Sequence, residues 1–191
     1  NAMGFLENVL GEVVELFPSP IIPIGGDEAP RDRWKQCSKC QARIKAEGLH
    51  ADENHSAEDR LQSYCMTRME KFLNDRGRSI IGWDEILEGG VAPNATVMSW
   101  RGMEGGIKAA EAGHNVIMTP DKYVYFDYQQ AADLTHEPQG IGGFVDVEKV
   151  YSLEPMPDAL TEEKRIYIIG TQANLWAEYI WLVYTSPSPR D

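Results

Sequence analysis

Basic residues are scarce in this chain: 18 Lys and Arg stand against 30 Asp and Glu, a formal net charge of −12. That deficit argues against nucleic acid or an anionic membrane as partner, since both are gripped by Lys and Arg. Long apolar runs are also missing. None approaches the roughly 20 residues of a membrane-spanning helix, and no signal peptide is legible at the start. Three cysteines make no disulfide framework. Internal repeats are absent, and low complexity is confined to the last few residues. The remainder has a near-average composition over 191 residues, enough for one domain with a hydrophobic core.

The most informative stretch is Gly25-Gly26-Asp27-Glu28, at the end of the apolar run Ile21-Ile22-Pro23-Ile24. A short apolar run closed by glycines reads as a buried strand ending in a tight turn. Neighbouring strand residues normally point to opposite faces, but a glycine twist lets Asp27 and Glu28 face one site. Two carboxyls held together do not ionise independently, so one stays protonated as an acid while the other stays charged. Two other readings apply to the same residues. An Asp-Glu pair before Ala29-Pro30 suits a solvated helix start. Gly-Gly-Asp-Glu also opens the signature of diguanylate cyclases, where an aromatic residue on a hairpin closes the motif; here Ala29-Pro30 follows.

Around that stretch, strands and helices alternate. Phe5, Leu6, Val9, Leu10, Val13 and Phe17 recur at helical spacing and predict an amphipathic helix over residues 5–17, stopped by Pro18-Ser19-Pro20. Residues 30–55 are polar and read as a short helix with loops. Ser56-Ala57-Glu58-Asp59 has the pattern of a helix cap, opening a helix that Gly77 closes. Short apolar runs then follow at 79–83, 95–100, 115–118 and 165–170, with an Ala-rich helix at 104–112 between the second and third. Strands apolar along their whole length belong in a parallel sheet buried on both faces. Polar and aromatic residues fall at the C-terminal end of each run, as in a (β/α) barrel. Residues 120–164, rich in Tyr, Asp and Gly, are expected to form an active-site loop.

At the strand ends stand Asp27 and Glu28, Trp83 and Asp84, Trp100, then Trp176 and Glu178. Three of the five tryptophans therefore follow strand-like runs. Aromatic faces edged by carboxylates suit a sugar, whose C–H faces stack and whose hydroxyls hydrogen-bond. Tryptophans at strand ends also serve as caps on a barrel core.

The segments Ile24–Pro30, Gly82–Ile86, Met98–Gly102, Tyr125–Tyr128 and Gly170–Glu178 resemble, in order, those of glycoside hydrolase family 20, the β-N-acetylhexosaminidases. The resemblance spans most of residues 5–180, leaving 181–191 as an unrelated or truncated tail. It implies an α/β fold, a partial (β/α)8 TIM barrel lacking its first three strands. It also implies a retaining, substrate-assisted mechanism, in which the 2-acetamido oxygen of the sugar attacks the anomeric carbon and forms an oxazolinium ion. By the family's pattern Glu28 protonates the leaving oxygen and later activates water. Asp27 orients the acetamido group, and Tyr125 donates to its oxygen. Trp83, Trp100 and Trp176 would wall the pocket, while Asp84, Asp127 and Glu178 would join them in binding substrate. The expected partners are glycans ending in N-acetylglucosamine or N-acetylgalactosamine, with no cofactor, no nucleic acid and no membrane.

The chain departs from the family at Pro23, where a His is usual, and near Gly142-Gly143-Phe144, where a tryptophan is often added. The arginine that grips the terminal sugar would lie on the missing strands, so weak or absent activity and self-association are expected of the chain by itself. A non-catalytic carbohydrate-binding module is the competing reading.

Cys37-x-x-Cys40, followed by His50 and His55, has the residue types of a zinc site, with the middle spacing short. Free thiols on a polar loop, or a local disulfide, are the alternatives. Cys65 falls on the apolar face of its helix and reads as core.

Overall fold

The computed structural model describes residues 2–135 and 137–179. The expected tail at 181–191 and His136 lie outside the described residues.

The chain opens with α1 (Ala2–Leu16), and β1 (Ile21–Pro23) follows the Pro18–Pro20 break. Two short helices, α2 (Asp32–Gln36) and α3 (Ser38–Ala46), replace the single one expected between 30 and 55. The long α4 (Ala57–Asn74) starts where the sequence signals it. The Asp59 N–H donates to Ser56 Oγ at 3.1 Å, and the Ser56 N–H donates to Asp59 Oδ2 at 2.7 Å, closing a capping box. Then come β2 (Ser79–Trp83), β3 (Thr96–Ser99), α5 (Glu104–Glu111) and β4 (Val116–Met118). The stretch expected as a loop holds α6 (Asp121–Val124), α7 (Val147–Tyr151) and α8 (Glu162–Arg165) before β5 (Ile168–Thr171). The last strand thus begins later than the apolar run suggested. Glu162-Glu163 ahead of Lys164-Arg165 matches the helix dipole at both ends and takes Arg165 into α8.

The five strands are all parallel and lie in chain order, β1 to β5. Because that order never reverses, the sheet has no crevice of the doubly wound kind; it is the wall of a partial (β/α)8 barrel. Ile22, Ile80, Val97, Val116 and Met118 pack against Leu73 of α4 and Ala109 and Ala110 of α5. The central β3 is buried along its length, the polar Thr96 and Ser99 included, whereas β1 and β5 are largely open. Each of these two has one strand neighbour among the described residues. Ile21 is 38% and Ile169 51% exposed in consequence.

Pro23 sits in β1 without disturbing its pairing. Ser79 N–H bonds to Pro20 O and Ile24 N–H to Ile81 O, so the even-numbered residues face β2. The donor that proline lacks would point to the open edge.

Candidate active site

A cavity of about 520 Å³ opens at the C-terminal ends of the strands. Asp27 and Glu28 enter it from the turn after β1, and the twist expected of the glycines is present. Gly25 and Gly26 have φ of 71° and 96°, and Glu28 has φ of 45°, the sole positive value for a non-glycine among the described residues. At Gly26 a Cβ would come within 2.4 Å of Ile86 Cγ2, so no other residue fits there. A bulky residue held in the left-handed region is strained, and such strain persists where the surrounding structure imposes it, commonly at functional sites.

The aromatic wall comes from three strand ends and one short helix. Trp83 ends β2, Trp100 follows β3, Tyr125 follows α6, and Trp176 follows β5; all four line the cavity. Tyr125 is central to them. Its ring stacks on Trp100 at 6.2 Å and 16°, and meets Trp176 at 6.1 Å and Tyr128 at 5.7 Å edge-on. Its position is fixed by backbone: Asn174 N–H donates to Val124 O at 2.8 Å, and Phe126 N–H donates to Asn174 O at 2.7 Å. The Asn174 side chain in turn donates to Thr119 Oγ1 at 2.6 Å. Burial pushes the Tyr125 phenol well above its ordinary value, the Trp176 indole opposing this and Asp121, Tyr128 and Asp127 adding to it. The hydroxyl therefore stays protonated, able to donate. Tyr128, which also donates to Asp121 Oδ2 at 3.1 Å, is pushed up to about 12, chiefly by burial.

Asp127 and Glu178, on the segments that carry Tyr125 and Trp176, line the same cavity. Both carboxylate oxygens of Asp127 are buried and, among the described residues, accept no hydrogen bond of good geometry, although the nearby Asp127 and Trp176 N–H groups pull its pKa down in part. Burial, together with the nearby Glu178 charge, raises the Asp127 pKa. Buried acceptors without donors are rare in folded proteins, so this pair of oxygens is suited to hydroxyl donors from a ligand.

Asp84, expected to bind substrate, does not line the cavity. It is 2% exposed and starts a 3-10 turn over Asp84–Leu87 that leads away from the cavity. Its Oδ2 accepts from Trp100 N–H at 3.0 Å and Arg101 N–H at 3.2 Å, and its Oδ1 accepts from Arg101 Nε at 2.5 Å. Asp84 thus holds the backbone that carries Trp100. Glu85 was given no role by the sequence, yet its Oε2 accepts from Trp100 Nε1 at 2.9 Å and so sets the indole plane. Burial raises the Glu85 pKa. Tyr128, Ile141, Gly142 and Gly143 also line the cavity. For them the only available signals were the Tyr-Phe-Asp-Tyr segment and the Gly-rich loop.

The zinc reading does not hold. Among the described residues no group of three or more His, Cys, Asp or Glu side chains could hold a metal ion. Cys37 caps α3 and faces Cys40 one turn on, both as free thiols. The hydrogen bonds from Cys40, backbone first, lower the Cys37 pKa. His55 belongs to the segment before α4, where its Nδ1 lies 3.3 Å from Asp52 Oδ1.

Residues 1–184 match the family model described as "Glycosyl hydrolase family 20, catalytic domain". The β-hexosaminidase of Porphyromonas gingivalis is 52% identical over 93% of this chain, and that of Vibrio furnissii 33% over 92%. This chain spans 22% and 28% of those two proteins, well under a third of each. Among solved structures, the exo-β-N-acetylglucosaminidase of Vibrio harveyi in complex with N-acetylglucosamine superposes over 93% of this chain and 27% of its own, with a TM-score of 0.78 and 28% identity. The β-N-acetylhexosaminidase of Bacteroides fragilis does so over 91% and 34%, with a TM-score of 0.70 at 28% identity. With the barrel wall, the aromatic cavity and the family model all in agreement, the chain belongs to glycosyl hydrolase family 20 and carries part of its catalytic domain.

Proposed function

We propose that the protein carrying this chain removes terminal non-reducing N-acetylhexosamine from glycans by retaining, substrate-assisted catalysis. The observation that carries this reading is the convergence of Glu28, held at φ 45°, with three tryptophans and a protonated tyrosine around one cavity. In this scheme Glu28 gives its proton to the leaving oxygen as the glycosidic C–O bond breaks. The acetamido oxygen of the sugar forms the new bond to the anomeric carbon. Tyr125, kept protonated by burial, donates to that oxygen, and Asp27 accepts from the acetamido N–H and stabilises the charge that develops on it. Water, deprotonated by Glu28, then opens the oxazolinium ion and restores the acid. Trp83, Trp100 and Trp176 exclude bulk water from the acetamide and the ring. Asp127 and Glu178 accept from sugar hydroxyls.

Hydrolysis of a nitrophenyl N-acetyl-β-glucosaminide by the full-length protein tests the reading. Binding of chitobiose without turnover would instead make the cavity a carbohydrate-binding module. Binding of GTP with Mg²⁺ and no sugar binding would favour the nucleotide cyclase reading of Gly25–Glu28.

A further inference from the structure

Behind the cavity a chain of hydrogen bonds joins the turn that bears Glu28 to the segment that bears Trp100. It begins at the carbonyl of Gly26, which accepts from Gln62 Nε2 at 2.6 Å. Gln62 sits on α4 and is 3% exposed. Its Oε1 accepts from Arg31 Nε at 2.8 Å and also from Arg31 Nη2. Arg31 lies three residues beyond Glu28 and closes the turn back onto α4. Its guanidinium also pairs with Asp59 Oδ1 at 3.1 Å and Glu88 Oε2 at 2.8 Å. Glu88 uses its other oxygen, Oε1, to accept from Arg101 Nη1 at 3.0 Å. Arg101 reaches Asp84, and Asp84 holds the Trp100 N–H.

The network is placed by the fold. Asp59 belongs to the capping box of α4, which holds its carboxylate independently of Arg31. The turn after Glu88 rests on the same helix end: a Cβ on Gly89 would lie 2.2 Å from Asp59 O, and Gly90 O accepts from Ser63 Oγ. Only one end of the network, Trp100, lines the cavity; Gln62, Arg31, Glu88, Arg101 and Asp84 do not. They cannot touch a sugar held there. Yet Glu28 occupies a strained backbone conformation, which needs an external constraint to persist. From α4, Gln62 donates to the carbonyl of the residue two before Glu28, and Arg31, the residue three after it, is anchored on the Gln62 Oε1.

We propose that Gln62 and Arg31 are positioning residues that hold Glu28 in its left-handed conformation, and that Glu88 couples this strut to the Trp100 wall. The inference rests on the proposed role of Glu28, but its structural half stands apart from that role. Two variants of the full-length protein separate the contributions. Gln62→Glu keeps an acceptor for Arg31 while removing the donor to Gly26 O. Gln62→Met fills the same space with neither group.

For both variants the expected result is a kcat on chitobiose lowered by about 10- to 100-fold with KM little changed, since the acid is displaced while the binding walls stay. Arg31 and Glu88 variants should not be additive with them, because all act through one network. A crystal structure of Gln62→Met should show Glu28 released from positive φ and the Gly26 carbonyl turned. Wild-type kcat in both variants would overturn the inference, as would a Gln62→Met structure with Glu28 unmoved. A parallel fall of kcat and melting temperature with Glu28 still in place would also overturn it, because the role would then be structural alone. If the wild-type protein fails to hydrolyse chitobiose, the proposed function falls, and the Glu28 backbone in the variant structure still decides the positioning claim.

Discussion

The rings of Trp83 and Trp176 lie 5.7 Å apart and tilted by 52°, although β2 and β5 are separated by two other strands. Three strand spacings amount to about 14 Å in a flat sheet. The two side chains meet because they lean toward each other across the concave side of the sheet, over the strand ends. Tyr125 fills the space between Trp176 and Trp100. The result is a pocket lined by π faces and by the carboxylates of Asp27, Glu28, Asp127 and Glu178.

Such a pocket should discriminate sharply at carbon 2 of a sugar. An N-acetylglucosamine thiazoline, which mimics the oxazolinium ion, is expected to bind far more tightly than a plain glucoside, whose missing acetamide forfeits its contacts. Titration calorimetry on the full-length protein reads the ratio directly. Equal affinity for glucose and N-acetylglucosamine would remove the substrate-assisted scheme.

The buried Asp127 carboxylate makes a prediction about pH. Burial and Glu178 raise its pKa, so at low pH it is neutral and has lost acceptor capacity. Affinity for the thiazoline should therefore rise as pH climbs through that raised value, then level off. Asp127→Asn should weaken binding at neutral pH and abolish this limb of the profile. A pH profile unchanged by the substitution would show that Asp127 does not meet the ligand.

Much of this was legible in the sequence, and the reasons are physical. The Ser56–Asp59 cap, the β2 run and the helix after Glu104 are local signals, and each element begins within a residue of its expected place. Asp27, Glu28 and the three tryptophans share one cavity because strand C-termini all open onto one end of a barrel. Asp84 and Glu85 mark the limit. They adjoin Trp83 in sequence, but the 3-10 turn over Asp84–Leu87 carries both behind the wall, and no periodicity announces a turn of four residues. Gln62 could not be found either, since it lies mid-helix and meets Gly26 only through tertiary packing. Cys37, Cys40, His50 and His55 show the converse error: matching residue types without a fold that gathers them.

Asp52 should govern part of the acid stability. The N–H groups of Asn54 and His55, with Arg60, lower its pKa to about 2 from an ordinary 3.8. A depressed folded value means that the stabilisation is complete above pH 3.8 and is lost as pH falls toward 2. Asp52→Asn should therefore melt below the wild type at pH 5, with the gap closing by pH 2. Thermal melts across that range check it; a gap that stays constant with pH would assign the effect to something other than this carboxylate.

The 191-residue chain by itself is expected to self-associate. Ile21 and Ile169 are 38% and 51% exposed on the two edge strands of the sheet the described residues form, and Phe5 and Leu16 of α1 are 67% and 75% exposed. Unpaired parallel edges beside uncovered apolar side chains recruit further chains. Light scattering over a concentration series should show species heavier than 21.5 kDa. A monodisperse monomer would contradict the expectation.

Glu28 as the proton donor is tested most directly by the kinetics of its variants on chitobiose. The leaving hydroxyl of chitobiose is a poor leaving group and needs the proton, so Glu28→Gln in the full-length protein should lower kcat by about 10²- to 10⁴-fold. Thiazoline affinity should be largely retained, and the loss should be smaller on a nitrophenyl glycoside, which departs without protonation. Near-normal turnover of chitobiose by Glu28→Gln would contradict the assignment and, with it, the mechanism built on the turn after β1.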